Sequence, residues 1–419
     1  MEIPRSLLSE LTDAVNALSA SAQALAATAL DEIFKEWDGS DVTGLRVECI
    51  EALEAIESVY CDTYAAGRAA EFYEGCRAAQ GVRGAYSAIA DSRRDPQALA
   101  GAVRAMVQYV VDGDTDRYRR ECLSRIDADV RRSANSCVAY NTRRDPKKPR
   151  YARVPTGGET CGFCLMLSSF GFHYTTEEAA GHAHDGCDCR VVPNFGKASV
   201  KGYDSDGMYS RYQDVLETLG GRDGIRAEWD ALPKEEREAY IASHGKKEGA
   251  AFQKYMNKRM VEEIELRDPK WYATGEHSGI EFAGSTVKDE KLKRWRQDPG
   301  ERITAEKINA LGYKTEFWED ESHLAAPNAD GKTTISRADL STGIELKTIY
   351  GAGSENTFKS HIKSISGKNG VKLTVVDVSE NEKVTDEQAI KWINKYMARY
   401  HISEVRMLGH DGKLLRIKK

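Results

Sequence analysis

No apolar run in this 419-residue sequence approaches the ~20 residues that a membrane-spanning helix needs, and its start, MEIPRSLLSELTDAV, lacks the basic-then-apolar layout of a secretory signal. A chain finished in the bacterial cytoplasm, with no membrane partner, is the expectation. There is no G-x-x-x-x-G-K-[ST] loop, no G-x-G-x-x-G, no H-E-x-x-H and no G-x-S-x-G. ATPase, dehydrogenase, zincin and α/β-hydrolase readings therefore lose their usual supports. No repeat of fixed period is present, which argues against a solenoid. Strong charge of one sign is also missing: the net charge is −6, and residues 301–419 carry 19 Lys and Arg against 17 Asp and Glu, only +2. The tail is the better candidate for an anionic partner, on a small margin.

Hydrophobic residues make up 41% of the chain, charged residues 30% and aromatics 8%, a balance that can bury a core. The length suits several modules. Four regions are expected. Residues 1–150 read as mainly helical, with Leu7, Leu11, Val15 and Leu18 recurring on one helix face. Residues 151–200 are loop-rich and hold a Cys/His cluster. Residues 201–297 are charged helix, including 226–240 and 247–266, ending in a polar linker at Asp298-Pro299-Gly300. Residues 298–419 form a small α/β or α+β domain: helix 302–311, strands at 314–318 and 344–349, helix 355–365 and strand 371–378. A helix opened by Thr385 with Gln388 in capping-box spacing and strands near 405–408 and 414–417 complete it.

Cys49, Cys61, Cys76, Cys122 and Cys137 are scattered through helical sequence and read as buried reduced thiols. Cys161, Cys164, Cys187 and Cys189 differ, for they crowd into one short stretch with His182 and His184. A C-x2-C knuckle bends two thiolates toward one point and a second soft pair closes a tetrahedral cage, as structural Zn²⁺ requires. The first choice of ligands is Cys161, Cys164, His184 and Cys187, with Cys189 the substitute. A nucleobase-deaminase centre needs H-x-E ahead of its C-x-x-C, an order this chain does not have.

The run from about Asp116 to Tyr212 resembles a known family. RVPTGGETCGFCLMLSSFGFHY, then HAHDGCDCRVVP and GYDSDGMYSRY, are similar to the minor head proteins of actinobacterial tailed phages and prophages, related to MuF-like head-morphogenesis proteins. There a C-x2-C and an H-x2-C-x-C element recur in the order of Cys161, Cys164, His184, Cys187 and Cys189. The resemblance implies a structural role beside portal and capsid proteins, inside a virion.

The second constellation is Asp339-Leu-Ser-Thr-Gly-Ile-Glu345-Leu-Lys347. In a strand, Glu345 and Lys347 stand on one face and Ile344, Leu346 and Thr348 on the other. Such a pair with a second carboxylate from Asp339 can hold a divalent metal or polarise a phosphodiester. The bland alternative is an exposed pair on a solvated face, whose loss would cost at most ~1 kcal/mol. The order of helix, strand, Asp339, E-x-K strand and Ser354-Glu355-Asn356-Thr357 resembles the C-terminal tRNA-nuclease domain of contact-dependent inhibition and other polymorphic toxins. Asp339 follows Ala338 where the family has proline. The resemblance implies RNA cleavage, with tRNA as partner, a protective immunity protein, and Asp339, Glu345, Lys347, Ser354, Asn356 and Thr357 as site residues. Two mechanisms stay open: Mg²⁺ held by Asp339 and Glu345 with Lys347 steadying a water, or metal-free attack by the RNA 2′-hydroxyl with Lys347 and Thr357 stabilising charge. His361, one turn beyond Thr357, reads either as a further acid or base or, as is more common for a lone histidine on a helix, as a solvated side chain. Competing readings are a purely structural capsid protein with an inactive or nucleic-acid-binding tail, and a DNA endonuclease.

Overall fold

Helix α1 (Arg5–Glu36) shows how the first half is assembled: Leu8, Leu11, Val15, Ser19, Ala22, Ala26 and Leu30 are buried at steps of three or four residues. This computed structural model describes residues 2–157, 160–181, 186–196, 198–244, 247–318, 326–327, 334–335, 337–351 and 353–419. They fall into two units, 1–209 and 210–419. The chain is mainly helical, with a small sheet in its C-terminal part. The buried stripe on α1 is offset from the one read in the sequence. Leu7 and Leu18 lie only partly buried at its margin, because the small residues Ser19, Ala22 and Ala26 let a neighbouring helix approach more closely.

In the first unit, α1 packs with α2 (Val42–Glu57), which runs through a π-helical stretch at Ser58–Ala65 into α3 (Ala66–Ala79), and with α4 (Pro96–Met106) and the long α5 (Thr115–Arg144). Cys49, Cys61, Cys76, Cys122 and Cys137 are fully buried between these helices, as read from the sequence, and burial pushes Cys61 and Cys122 up to about 12. An antiparallel ribbon of β1 (Arg150–Val154) and β2 (Arg190–Asn194) follows, in the register Ala152↔Val192 and Arg153↔Val191. Its Tyr151, Ala152, Val154, Val191 and Val192 belong to the same apolar core as the helices. Residues 151–200, set apart in the sequence reading, thus share a core with 1–150.

The second unit contains α7 (Gly221–Ala231) and α8 (Glu248–Ile264), with α6 (Gly162–Ser168) lying earlier, in the first unit. The single helix expected at 226–240 is two: α7 ends before Leu232-Pro233 and a new helix starts at Lys234, because proline has no N–H to donate and its ring clashes with the preceding turn. Beyond them come strand β3 (Ile280–Phe282), α9 (Ser285–Trp295), α10 (Gly300–Ala310) and β4 (Thr315–Phe317), with β3 and β4 paired in parallel. The main sheet has β5 (Ile344–Thr348), β6 (Leu373–Asp377), β7 (Glu404–Leu408) and β8 (Leu414–Lys418) in spatial order β8-β7-β6-β5, the first three parallel and β8 antiparallel. Helices α11 (Glu355–Ile365) and α12 (Asp386–Tyr400) make the crossovers. They cover one face through Phe358, Ile362, Ala389 and Ile393. Ala305, Ile308, Val287, Trp295 and Leu266 cover the other, against Ile344, Leu346 and Val375. Every residue of β6 is buried, as expected of a parallel strand covered on both faces.

Asp298-Pro299-Gly300, read as a linker, instead joins α9 to α10 within this unit. Trp295 before it and Ala305 after it lie in one core, and the Asp298 carboxylate accepts hydrogen bonds from the Gly300 N–H and the Tyr350 hydroxyl. Across the same boundary, Glu263 of α8 meets Arg406 of β7 through bonds of 2.7 and 2.5 Å, and both side chains are buried.

That pair makes a prediction. Burial opposes ionisation of Glu263, yet the Arg406 and Arg267 guanidiniums and the Tyr313 hydroxyl outweigh it and lower its carboxyl from 4.5 to about 2. A carboxylate whose pKa is depressed by folding contributes stability that is complete above its unfolded pKa and is lost as the pH falls through the folded one. Melting temperature should therefore decline between about pH 4.5 and pH 2. Glu263→Gln, which leaves the buried Arg406 only Glu404 at 3.3 Å as an anion, should cost about 3 kcal/mol at pH 7 and flatten that decline. A variant that melts in step with the parent throughout this range would show the pair to be energetically idle.

Candidate functional site

The two knuckles of the cysteine cluster meet at one end of the ribbon, where β1 runs out at Val154 opposite Arg190, the first residue of β2. Cys161 begins α6, where its Sγ accepts the Cys164 N–H at 3.4 Å, and Cys189 directly precedes β2. The fold brings Cys164, Cys187 and Cys189 together, with Sγ separations of 3.5, 3.2 and 3.3 Å, and Cys161 packs beside them. None of these thiols is in a disulfide. Zinc–sulfur bonds of ~2.3 Å in a tetrahedron require sulfurs a little under ~4 Å apart, whereas a disulfide needs ~2.05 Å. Three buried convergent thiols with a fourth adjoining fit a zinc ion. Cys189, ranked as a substitute in the sequence reading, is a full member of the triangle. His184 lies outside the described residues.

A cationic shell supports the cluster. Arg153 on β1 is wholly buried, and its Nη2 donates to Cys189 Sγ at 2.7 Å while lying 3.9 Å from both Cys164 and Cys187. Hydrogen bonds from the Cys164 and Cys189 thiols, then the charge of Arg153, hold Cys187 well below the usual thiol range, while Cys164 is pushed up by its sulfur neighbours, Cys161 first. A buried thiolate beside a guanidinium, as at Cys187, is the form in which a sulfur takes up a metal.

Helix α5 fixes the loop from the other side. Asp127, Arg131 and Asn135, at four-residue spacing, form a buried polar stripe. Asp127 accepts from the Gly186 N–H at 2.7 Å, Arg131 donates to the Cys187 carbonyl at 3.1 Å, and Asn135 donates to the Cys189 carbonyl at 3.1 Å while accepting from the Val191 N–H. Sequence reasoning missed these three. The signal was present as D-x3-R-x3-N within a helix otherwise lined by Ile126, Val130 and Ala134, since polar side chains buried at one helical spacing need partners.

The second constellation gathers at β5. Pairing with β6 in the register Glu345↔Thr374 and Lys347↔Val376 sends Ile344 and Leu346 into the core beneath α10, and Glu345 and Lys347 to the opposite face. Glu345 is 0% exposed, so the pair is not an ordinary solvated face, and the small cost expected for losing a surface pair does not apply. Its carboxylate is ion-paired with Lys347 and with Lys368, whose Nζ stands 2.6 Å from Oε1 and 2.7 Å from Oε2. The same Lys368 Nζ is 3.6 Å from Asp339 Oδ1, and Asp339 Oδ2 accepts the Leu346 N–H at 2.9 Å. Asp339, Lys347 and Lys368 line a cleft of about 430 Å³ together with Arg294, Tyr350 and His361.

Electrostatics separate the two carboxylates. Burial, then the charge of Asp339, raises Glu345; Lys368 and Lys347 lower Asp339 against the effect of its burial. His361 is lowered by burial and then by Lys347, which favours its neutral form. Lys291, bonded to Glu301 at 2.6 Å, is brought down to about 8, first by burial and then by Arg294. Asp339 and Glu345 were the residues expected to hold Mg²⁺. Lys368 bridges them and Lys347 completes the pairing, so two ammonium groups already balance two carboxylates. In this arrangement the residues do not fit a divalent ion.

Ser354, Asn356 and Thr357 stand apart from the cleft lining. Ser354 and Thr357 form a capping box at the start of α11, the Ser354 N–H donating to Thr357 Oγ1 at 3.1 Å, and Asn356 is exposed in the first turn. Their contribution is to hold the helix that carries His361.

The family model described as VG15 protein, a phage-type family, matches residues 5–215, half of the chain, spanning the helical unit and its cysteine cluster and stopping short of the sheet that carries Glu345. No curated protein and no solved structure matches.

For the cysteine centre we expect about one zinc ion per purified chain by elemental analysis, falling well below half in Cys164→Ser. Asn135→Ala, which removes the side-chain acceptor of the Val191 N–H and leaves the Cys189 carbonyl only the Arg190 guanidinium at 3.1 Å, without touching a sulfur, should cost about 1–3 kcal/mol in a denaturant titration yet leave the zinc content unchanged. Metal-free protein whose melting is unmoved by chelators would rule out the assignment.

Proposed function

The chain belongs to the VG15 protein family, and on that premise we propose that it is a minor capsid protein of a phage or prophage whose C-terminal unit is a ribonuclease. The first unit is the part that would sit among portal and capsid proteins. Its zinc-stapled ribbon is a rigid, chemically silent surface, since four thiolate ligands leave no open position for a water or a substrate. The matched residues 5–215 contain that entire arrangement, which supports the reading.

The nuclease proposal is carried by one observation. A completely buried glutamate is held by two lysines that line a cleft. Burying such a cluster is costly, and a chain that needed only a stable strand would be served as well by apolar residues of the same size. Together with the likeness of the Asp339, Glu345-x-Lys347 order to toxin nucleases, this favours a phosphodiester as the group received. Lys347 would offset the charge that grows on the phosphate in the transition state. His361, in its neutral form, is suited to accept a proton. Asp339 and Glu345 orient the ammonium groups. Ser354 and Thr357 act at one remove, by anchoring α11. Transfer RNA is the substrate that the likeness to toxin nucleases favours, and an immunity protein would be needed wherever the active chain is made.

Full-length protein incubated with total tRNA should cut it, and Lys347→Ala should slow cutting about 10²-fold or more. Because Lys347 is one of two cations on a buried carboxylate, Lys347→Arg is the companion that keeps the charge. Circular dichroism should show both variants folded, with more activity left in the arginine one. Equal cleavage by the parent and by Lys347→Ala would end the nuclease reading.

A further inference from the structure

Lys368 was not singled out by any sequence pattern, and it is the residue that joins the two carboxylates of the cleft. Its position is built rather than incidental. The turn after α11 is closed by the Lys368 N–H donating to the Ile365 carbonyl at 3.0 Å, and Asn369 forms a bridge with Arg337. Gly343, at φ +91°, lies so close to this turn that a Cβ there would come within 2.7 Å of the Gly370 carbonyl oxygen. Two glycine turns therefore clamp the segment holding Lys368 against the segment holding Asp339. The result places one ammonium 2.6 Å from Glu345 and 3.6 Å from Asp339, where a divalent cation bridging the two acids would have to sit.

We propose that Lys368 is the resident cation of this site, and that the site therefore cleaves RNA through its own 2′-hydroxyl without a divalent metal and leaves DNA uncut. The inference rests on the nuclease reading and specifies its chemistry and substrate class. Lys347 and Lys368 present two ammonium groups to one phosphodiester, while Asp339 and Glu345 hold them in place. The 2′-oxygen forms a bond to phosphorus as the bond from phosphorus to the 5′-oxygen breaks. His361 takes the 2′-hydroxyl proton and the departing 5′-oxygen takes a proton from water. The products are a 2′,3′-cyclic phosphate and a 5′-hydroxyl, with no water added at phosphorus. A strand lacking the 2′-hydroxyl has no internal nucleophile, and a site without a metal supplies no activated water to replace it.

Two measurements on the full chain test this. In the first, total tRNA and the matching 2′-deoxy strand are incubated in EDTA with the parent, Lys368→Met and Lys368→Arg. Cleavage of RNA alone, with cyclic phosphate ends, a loss of about 10²-fold in the methionine variant and partial retention in the arginine variant are expected. Cleavage that stops in EDTA and returns with Mg²⁺ but not Zn²⁺, or a methionine variant as fast as the parent, overturns the proposal. In the second, Mn²⁺ is titrated calorimetrically into the parent and Asp339→Asn, so that the cysteine cluster cancels in the difference. Identical heats are expected, and Asp339-dependent Mn²⁺ binding overturns the resident-cation role whether or not any RNA is cut. Should no nucleic acid be cut with or without metal, the nuclease reading itself fails, while the calorimetry still decides what occupies the space between the acids.

Discussion

A charge withdrawn from water must meet an opposite charge or a set of hydrogen bonds within a few ångströms, and both units are arranged round that requirement. In the first, the thiols of Cys164, Cys187 and Cys189 face the buried guanidinium of Arg153, and the loop that brings them there is held by Asp127, Arg131 and Asn135. In the second, Glu263 faces Arg406 and Glu345 faces Lys347 and Lys368. Apart from Glu345 and Lys347, which share strand β5, these pairs join segments distant in sequence. Apolar burial supplies the bulk of the stability, as in any domain, but a mispaired fold would strand these charges, and that penalty narrows the choice of arrangements.

The two candidate centres solve this problem differently, and the difference bears on what each can do. The cysteine centre is closed: Cys164, Cys187 and Cys189 converge with Cys161 beside them and Arg153 behind, which suits a staple that ties the loops to the ribbon. The carboxylate cleft is left with a cavity whose lining includes two lysines and a histidine. Its charges are balanced among themselves, yet the ammonium groups remain partly accessible to an anion. Balance without closure is what a phosphate-binding site needs, since the incoming anion can rearrange the pairing instead of first stripping a bound metal or water shell.

The elements of the tail were legible because each carries a local signal. Helix α11 begins and ends where Ser354 and the Phe358, Ile362, Ile365 face place it, and α12 begins at Thr385, whose hydroxyl accepts from the Gln388 N–H. The strands at 344–348, 373–377, 404–408 and 414–418 were found to within two residues or so. The boundary at Asp298-Pro299-Gly300 misled for a physical reason: a Pro-Gly step reads as a linker, but it serves equally to turn the chain between two packed helices, and only the apolar partners Trp295 and Ala305 distinguish the cases. Pro233 shows the opposite lesson, a break that local stereochemistry imposed on a pattern of charge and apolar residues that looked continuous.

What the sequence determined by itself was chemistry carried by neighbouring residues: the C-x2-C knuckle, the alternation that sets Glu345 and Lys347 on one face of a strand, the capping box of α11 and the helical periodicity of α1. These depend on spacing of a few residues, and backbone geometry converts spacing directly into direction. The tertiary structure alone decided which distant groups complete each site. It brought Arg153 and Cys189 to the same sulfurs, carried Lys368 across 29 residues to Asp339, and buried Glu345 so deeply that its partners became obligatory. Contacts of that kind depend on how strands are ordered and loops are clamped, and no local pattern encodes them.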